Sequence, residues 1–382
     1  MQSQEKSFRN SMEIEPMEIE AKEGPINDSP NDILFSIFNK LGDRKELLNL
    51  STLSRKFNII VKELLLCTNI IFNEEKFLKF VREMGKYELN NKVTNLTLLG
   101  ISFDNLKFIE NFENIVYLEL NYNKAINLNF VSKLNKLKSL YLSFNALTQQ
   151  EIEKLNNTSL ESLDLSYIDI TNLDFIKNLP KLKAVRLSNC QNLTQSELEK
   201  LEKYELLEEL DLSYTNLSDI SFIGSLKNLK RLTITNLTNL KQISEDAFIN
   251  NQLLKELNIP SYCQNLTFLK HLPNLKVFSA MYCQKLTQNE IEKLKNNKLL
   301  EELNVSYTFI TNIDFIKELP NLQRIWIFYC IKLDIEALAK TFSELKNTRP
   351  NLVIKMDNII ERKVKAYLSK MSKENNNAMQ IC

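Results

Sequence analysis

Histidine, cysteine and glycine build most catalytic and cofactor sites, and this chain uses all three sparingly. It has one histidine, His271, and six cysteines that form no CxxC pair. A histidine-based nucleophilic triad or a multi-histidine metal centre is therefore excluded or nearly so. The five glycines form neither of the glycine-rich loops that hold nucleotide phosphates. We expect a chain with no catalytic residues, no metal and no cofactor.

The charge of the chain is almost balanced. Over 382 residues there are 49 basic and 48 acidic side chains, for a net charge of +1. This balance gives no electrostatic reason to expect a nucleic-acid or membrane partner. No secretory signal is visible at the start, and no apolar run reaches the length of a membrane span. We therefore expect a protein of a reducing compartment, the cytoplasm or nucleus.

The strongest signal in the sequence is an internal repeat. The segment LESLDLSYIDITNLDFIKNLPKL begins at Leu160, and closely similar segments begin at Leu207, Leu254 and Leu300. A second unit alternates with them and ends in stretches such as LTQNEIEKL. Each unit opens with LxxLxL, whose alternation predicts a strand, and closes with apolar residues at helical spacing. One unit cannot bury its apolar side alone, so stacked units must share a continuous core.

These units resemble the leucine-rich-repeat family over residues 93–356. The resemblance implies an α/β fold, a curved solenoid whose parallel sheet lines the concave side. It also implies structural roles for the column that follows each strand: Asn123, Asn145, Cys190, Thr215, Cys283, Thr308 and Cys330. Around the repeats we expect a disordered segment at 1–28, an atypical capping repeat at 69–92, and a closing helix with a loose tail at 357–382.

Residues 29–68 read as three short amphipathic helices. Their pattern resembles the F-box, whose signature is LP-x-x-I/L-L-x-x-I-F-x-x-L followed by a leucine pair and V-C-R-x-W. Ser29, Ser54 and Phe57 stand where the family has leucine, cysteine and tryptophan. An F-box directly before leucine-rich repeats is a known family architecture. The alternative is that these helices only cap the solenoid. The matching residues are Pro30, Ile33, Leu34, Ile37, Phe38, Leu41, Leu47 and Leu48.

The combination resembles the substrate receptors of Skp–cullin–F-box ubiquitin ligases. It implies that the eight matching residues dock a Skp-type adaptor, and through it a cullin, while the repeats hold a protein substrate. Two alternatives stay open. One is a leucine-rich-repeat scaffold with no ligase role. The other is an F-box effector acting in the host cytoplasm, because ITNLDFIKNLPKL also resembles bacterial internalin-type repeats.

Residues between the inward-facing leucines should line the concave side. Aspartate and arginine alternate among them, which favours a polypeptide of mixed charge over nucleic acid. Trp326, the only tryptophan, is a candidate binding hot spot unless the closing segment 341–371 covers it. Aromatic residues just past the strands, such as Tyr167 and Tyr214, are interpreted as stacked packing. The candidate substrate-binding residues are Tyr141, Asp164, Arg186, Asp211, Arg231, Trp326 and Phe328.

Overall fold

A computed structural model describes residues 93–98, 106–123 and 126–379. The predicted F-box at 29–68, the predicted capping repeat at 69–92 and the amino-terminal segment lie outside the described residues. Within the described part, the chain repeats one pattern: a three-residue strand, a turn, and a short helical segment that returns to the next strand.

Twelve strands of the described residues form a single parallel sheet, in which each strand pairs with the next one along the chain. The register is regular: Leu210 pairs with Leu232, and Leu303 with Ile325. The strands are β1 (Asn95–Thr97), β2 (Tyr117–Glu119), β3 (Ser139–Tyr141), β4 (Ser162–Asp164), β5 (Ala184–Arg186), β6 (Glu209–Asp211), β7 (Arg231–Thr233), β8 (Glu256–Asn258), β9 (Val277–Ser279), β10 (Glu302–Asn304), β11 (Arg324–Trp326) and β12 (Val353–Lys355).

Helical segments return the chain between strands. The five α-helices of the described part are α1 (Gln149–Ile152), α2 (Gln195–Glu199), α3 (Gln288–Glu292), α4 (Ile335–Thr348) and α5 (Asn358–Met379). The remaining returns are 3-10 helices: Lys107–Asn111, Leu128–Lys133, Asp174–Asn178, Lys200–Lys203, Ser221–Ser225, Glu245–Phe248, Thr267–His271, Lys293–Asn296 and Asp314–Glu318. The middle residue of each strand from β1 to β11 packs inward against these segments, so all repeats share one continuous hydrophobic core.

A shared threonine cap starts the three short α-helices. Thr194, for example, accepts a hydrogen bond from the backbone N–H of Glu197, the third residue of α2, as an N-cap should. The Glu197 side chain reaches back to the backbone N–H of Leu173 at 3.0 Å, and Gln195 reaches forward to that of Ser218 at 3.0 Å. The same bonds recur at α3. Each capped helix therefore links three consecutive repeats, which explains why the sequence repeats over two units rather than one.

The column after the strands has the structural role predicted for it. Asn145 is buried, and its amide donates to the carbonyl of Leu120 at 2.8 Å and to that of Leu142. Cys190 and Thr215 are also buried, and each donates to one carbonyl. These carbonyls lie just past the strands, where the backbone ladder stops. The column therefore satisfies buried acceptors that would otherwise be costly.

A second set of buried donors was not anticipated from the sequence. Asn157, Asn251 and Asn297 each donate to two carbonyls at the end of the preceding 3-10 helix. Arg349 does the same for the carbonyls of Ile316 and Leu319, at 2.9 and 2.7 Å. The recurring asparagine just before LxxLxL was the available signal. These donors tie the return segments after β3, β7, β9 and β11 to the return segment before each of them, while Tyr204 stands at the equivalent position after β5.

The carboxyl-terminal end differs from the sequence expectation in two ways. The strand β12 was not predicted, because NLVIK lacks the LxxLxL spacing. The closing helix α5 runs from Asn358 to Met379 and so occupies most of the segment 357–382, in which we expected a loose tail after the helix. No glycine or proline occurs between 358 and 379, so nothing in the sequence terminates the helix earlier.

Burial of the column cysteines predicts slow thiol chemistry. Burial raises the pKa of Cys190 and of Cys263 to about 12. At pH 8 we expect iodoacetamide to label these cysteines in urea but not in the native protein, as measured by peptide mass spectrometry. The same shift stabilises the fold below the ordinary thiol pKa of 9.0, and this contribution is lost as pH rises towards about 12. Native labelling as fast as labelling in urea would contradict the burial.

Candidate protein-binding surface

The first and third residues of each strand form the face of the sheet opposite the core, which we call the open face. Tyr141, Asp164, Arg186 and Asp211 are the third residues of β3 to β6, so the register places them side by side. All four are half-buried, whereas the middle residue of each strand is buried. Arg231 is the first residue of β7 and lies in the other row of the same face.

A connected cluster spans β2 to β6 on the open face. The Tyr117 hydroxyl donates to Glu119 at 2.9 Å, and burial together with this carboxylate raises the pKa of Tyr117. The rings of Tyr117 and Tyr141 lie 5.1 Å apart. The Arg186 guanidinium lies 5.8 Å from the centre of the Tyr141 ring, within the range of a cation–π contact. Tyr117 and Glu119, absent from the predicted set, thus belong to the same surface as Tyr141.

The arginines of the open face are already paired. Arg186 lies 3.5 Å from Glu209, which also pairs with Arg231 at 3.1 Å. Arg231 further contacts Glu256 at 2.7 Å, and Arg324 pairs with Glu302. The glutamates of the first row were missed from the sequence, because only the register shows which arginine each one meets.

The aspartates of the third row are not paired in this way. Asp164 and Asp211 each accept a hydrogen bond from a backbone N–H two residues ahead, both at 2.9 Å. Neither forms a salt bridge with any residue in the described ranges. Burial raises the pKa of Asp211 above its ordinary value, and the nearby Asp164 adds to the shift. The charge that the open face leaves uncompensated around β4 to β6 is therefore negative.

Trp326 and Phe328 lie apart from this cluster. Trp326 is the third residue of β11, five strands from Asp211, which corresponds to about 24 Å. Both side chains are half-buried rather than exposed, and β12 pairs alongside, with Lys355 next to Trp326. The sheet therefore places the predicted residues on one face but does not gather them into one site.

Aromatic residues follow the strands and form what we call the aromatic rim: Tyr122, Phe144, Tyr167, Tyr214, Tyr282, Tyr307 and Tyr329. Two runs of the rim are stacked, as the sequence interpretation predicted, but Tyr214, which that interpretation included, stacks with no ring among the described residues. The ring of Phe144 lies 4.7 Å from Tyr122 and 4.0 Å from Tyr167, and Tyr307 lies 4.5 Å from Tyr282 and 4.8 Å from Tyr329. Tyr122 was not included in that prediction.

The backbone of the rim is unusual. Every rim residue has a positive φ, between 53° and 65°. This left-handed conformation is uncommon for side chains other than glycine, asparagine and aspartate. Asn189 and Asn236 occupy the equivalent position after β5 and β7 with the same conformation. Backbone preference alone would favour asparagine throughout, so the aromatic side chains must be retained for contacts made by their rings.

Two groups of features are absent from the part of the chain that the structure covers. None of its helices has the length and apolar character needed to cross a bilayer. Nor do three or more histidine, cysteine or acidic side chains gather in a way that could hold a metal ion within the described ranges.

Comparison with known proteins addresses the fold. No protein-family model matches the chain, and no curated protein sequence matches it. Among solved structures, an internalin (InlF) from Listeria monocytogenes strain 4b F2365 aligns with a TM-score of 0.51 and 23% identity. The alignment covers 74% of this chain and 86% of the internalin. The chain has the leucine-rich-repeat fold. Internalin C2 from the same strain aligns with a TM-score of 0.36 and 19% identity, over 62% of this chain and 82% of that one.

In this leucine-rich-repeat solenoid the predicted parallel sheet and stacked repeat units are confirmed. The residues that could carry recognition are the half-buried side chains of the open face and the exposed rings of the rim. The F-box prediction falls on residues outside the described ranges and stays a prediction.

Proposed function

We propose that this leucine-rich-repeat chain binds a protein partner on its open face. The observation that carries the proposal is the cluster of Tyr117, Tyr141, Arg186 and Glu209, held in contact across five neighbouring strands. Tyrosine and arginine are among the residues that most often dominate protein interfaces. Because they sit on a sheet and hold one another in place, little side-chain entropy remains to be lost on binding.

The extent of the open face favours a polypeptide over a small molecule. Twelve strands at about 4.8 Å spacing extend over roughly 53 Å, which suits an extended or folded protein surface. Both signs of charge alternate along the face, and the arginines are paired with glutamates. Such a face offers no continuous basic track for a phosphate backbone.

We further propose that residues 29–68 join this surface to a ubiquitin ligase by docking a Skp-type adaptor, and through it a cullin. The proposal is supported by the F-box pattern at Pro30, Ile33, Leu34, Ile37, Phe38, Leu41, Leu47 and Leu48 and by its position before the repeats. In that role the chain performs no bond chemistry. It raises the effective concentration of a protein substrate near the ligase. A leucine-rich-repeat scaffold without a ligase role is the alternative that adaptor binding distinguishes.

Substitution on the open face tests the binding proposal. Full-length protein would capture partners from a eukaryotic lysate, and the captured protein would then be purified and titrated. We expect Arg186→Ala to weaken its binding about tenfold or more, because the substitution removes the guanidinium that contacts Tyr141 and Glu209. We expect Trp326→Ala to weaken binding only if the partner reaches β11.

The matched control lies on the helical side of the solenoid. Lys133→Ala removes an exposed cation from the 3-10 helix Leu128–Lys133 and should leave the affinity unchanged. An Arg186→Ala variant that binds its partner as well as the parent would refute the assignment of this face. Equal losses from Arg186→Ala and Lys133→Ala would also refute it.

A further inference from the structure

The aromatic rim is interrupted at one informative place. Tyr167 follows β4 and Tyr214 follows β6, and between them, after β5, stands Asn189. Where rim residues are consecutive, their rings stack at 4.0 to 4.8 Å. Tyr167 has such a neighbour on only one side, in Phe144. Tyr214 stacks with no ring among the described residues. Asn189 therefore leaves a gap one ring wide between two exposed tyrosines.

The side chain of Asn189 does not close this gap. Its Oδ1 accepts a hydrogen bond from the side chain of Gln191 at 2.8 Å, which ties the amide to the following turn. The tyrosines on either side are 40% and 39% exposed. Burial raises the pKa of Tyr167, and the nearby Tyr214, Asp211 and Tyr122 add to the shift.

The width of the gap suits one planar group. Two strand spacings of a parallel sheet amount to about 9.6 Å. A planar group midway would lie about 4.8 Å from both ring centres, inside the roughly 6 Å over which a cation is attracted to an aromatic face. A ring or a guanidinium fits such a space, whereas an ammonium would use only a part of it.

The acidic side chains next to the gap favour a positively charged ligand. Asp164 and Asp211 precede the two tyrosines by three residues, and neither forms a salt bridge among the described residues. Arg186 lies between them in the row, but it is engaged by Tyr141 and Glu209. The other cation of the row, Lys355, forms no salt bridge among the described residues but lies six strands from Asp211. An approaching group therefore meets two carboxylates that form no salt bridge among the described residues and whose charge Arg186, lying between them, offsets only in part.

The conformation of Tyr214 adds an independent reason. A left-handed conformation is costly for a residue other than glycine, and stacking of neighbouring rings offsets part of that cost. Tyr214, at φ 58°, carries this cost without a stacked neighbour in the described chain. Asparagine occupies the equivalent position on both sides, after β5 and β7. The retention of tyrosine here is explained if its ring face contacts a partner.

We propose that the gap at Asn189 binds the guanidinium of an arginine in a basic segment of the protein partner, between the rings of Tyr167 and Tyr214 and above Asp164 and Asp211. The inference rests on the proposed function, since it assigns the partner's chemistry at one part of the open face. The planar cation stacks on both tyrosines while its N–H groups point to the carboxylates.

Three short labelled peptides test the proposal against the full-length chain by fluorescence anisotropy. They share a Gly-Ser repeat and differ only in the third residue, which is arginine, lysine or citrulline. Lysine keeps the charge without the plane, and citrulline keeps the plane without the charge. We expect the arginine peptide to bind about tenfold more tightly than either of the others. Equal binding of all three peptides would overturn the proposal.

A pair of matched variants locates the site. Asn189→Tyr fills the gap with a ring and should abolish the preference for arginine without lowering the temperature of unfolding. Asn236→Tyr adds the same ring in the same backbone conformation after β7, leaves the gap open, and should retain the preference. If both variants behave alike, the gap is not the site. Tyr214→Asn, which suits the left-handed backbone, gives a second loss of preference if Asn189→Tyr fails to fold.

Two further outcomes distinguish an arginine from a nucleobase in the gap, and a failure of this inference from a failure of the proposed function. Binding of a single-stranded RNA oligonucleotide that is lost in Asn189→Tyr would show that the gap takes a nucleobase instead, and would overturn the proposal. If the peptides show no preference while Arg186→Ala still weakens capture of the protein partner, the inference fails and the proposed function stands. If Arg186→Ala has no effect either, both fail.

Discussion

Replacing Asn145 with alanine should lower the free energy of unfolding by about 3–5 kcal/mol. Asn145 is buried, and its amide supplies the carbonyls of Leu120 and Leu142 with a donor. Its Oδ1 accepts the backbone N–H of Asn123 at 2.6 Å. The substitution removes the donor to the buried Leu142 carbonyl and the acceptor of the buried Asn123 N–H, whereas the Leu120 carbonyl keeps a hydrogen bond from the Asn123 side-chain amide. Each such group costs about 1–3 kcal/mol. Urea unfolding followed by circular dichroism measures the loss.

Cys190→Ala is the matched comparison for this experiment. Cys190 is also buried in the column, but its thiol makes one weak hydrogen bond, to the carbonyl of Leu165 at 3.2 Å. We expect Cys190→Ala to lower the free energy of unfolding by about 1–2 kcal/mol, less than half the loss from Asn145→Ala. In a solenoid each repeat is stabilised by its neighbours, so Asn145→Ala should also reduce the dependence of unfolding on urea, as the repeats before it unfold separately. Equal losses from the two variants would contradict the role given to the column.

The sheet and the column could be predicted because each repeat unit has the same short pattern of apolar and polar residues. A buried middle residue recurs in each strand from β1 to β11, and a small polar residue or a cysteine follows three positions after the last apolar strand residue in most repeats, with Ile168 and Leu237 as apolar exceptions. An irregular unit can therefore be recognised by comparison with the others. Where the spacing changes, the prediction failed. Cys263 is buried four residues after Ile259 rather than three, because NIPSYC carries one extra residue, and it was not assigned to the column.

The pairing of the open face could not be predicted, because it depends on contacts between repeats. Arg186 meets Glu209, and Leu173 meets Glu197, across 23 and 24 residues of sequence. These partners are decided by the register of the sheet and by the path of each return segment. The aspartate–arginine alternation suggested a face of balanced charge. The register shows instead that the arginines of both rows are matched with glutamates of the first row, and that Asp164 and Asp211 form no salt bridge among the described residues.

The half-burial of Trp326 has a similar origin. Three residues, Val353–Lys355, add a strand beside β11 although their sequence carries no repeat signature. A short strand of this kind forms because the exposed edge of β11 offers unpaired backbone groups to any extended segment that follows. A sequence that ends its repeats at β11 would leave Trp326 more exposed. The closing segment thus decides how much of the tryptophan a partner can reach.

The largest expected effect on binding comes from the predicted F-box. Ile37→Asp together with Phe38→Asp should abolish co-purification of a Skp-type adaptor with the full-length chain. Each apolar anchor of this size contributes about 1.5–3 kcal/mol when buried, so losing two should weaken binding at least about a hundredfold. Burial of the new carboxylates without partners would add to the loss. Affinity purification followed by mass spectrometry measures adaptor and cullin in the eluate.

Ser36→Asp together with Asn39→Asp is the control, since it adds the same two charges to the same segment on the side of the predicted helix away from the apolar stripe. This variant should retain the adaptor. Protection of Cys190 from alkylation reports whether the repeats remain folded in both variants. Undiminished adaptor binding by the Ile37→Asp, Phe38→Asp variant would refute the docking role of these residues. An unaltered chain that captures a protein partner but no adaptor would instead support the leucine-rich-repeat scaffold, because we propose separate surfaces for the two, the open face for the partner and residues 29–68 for the adaptor.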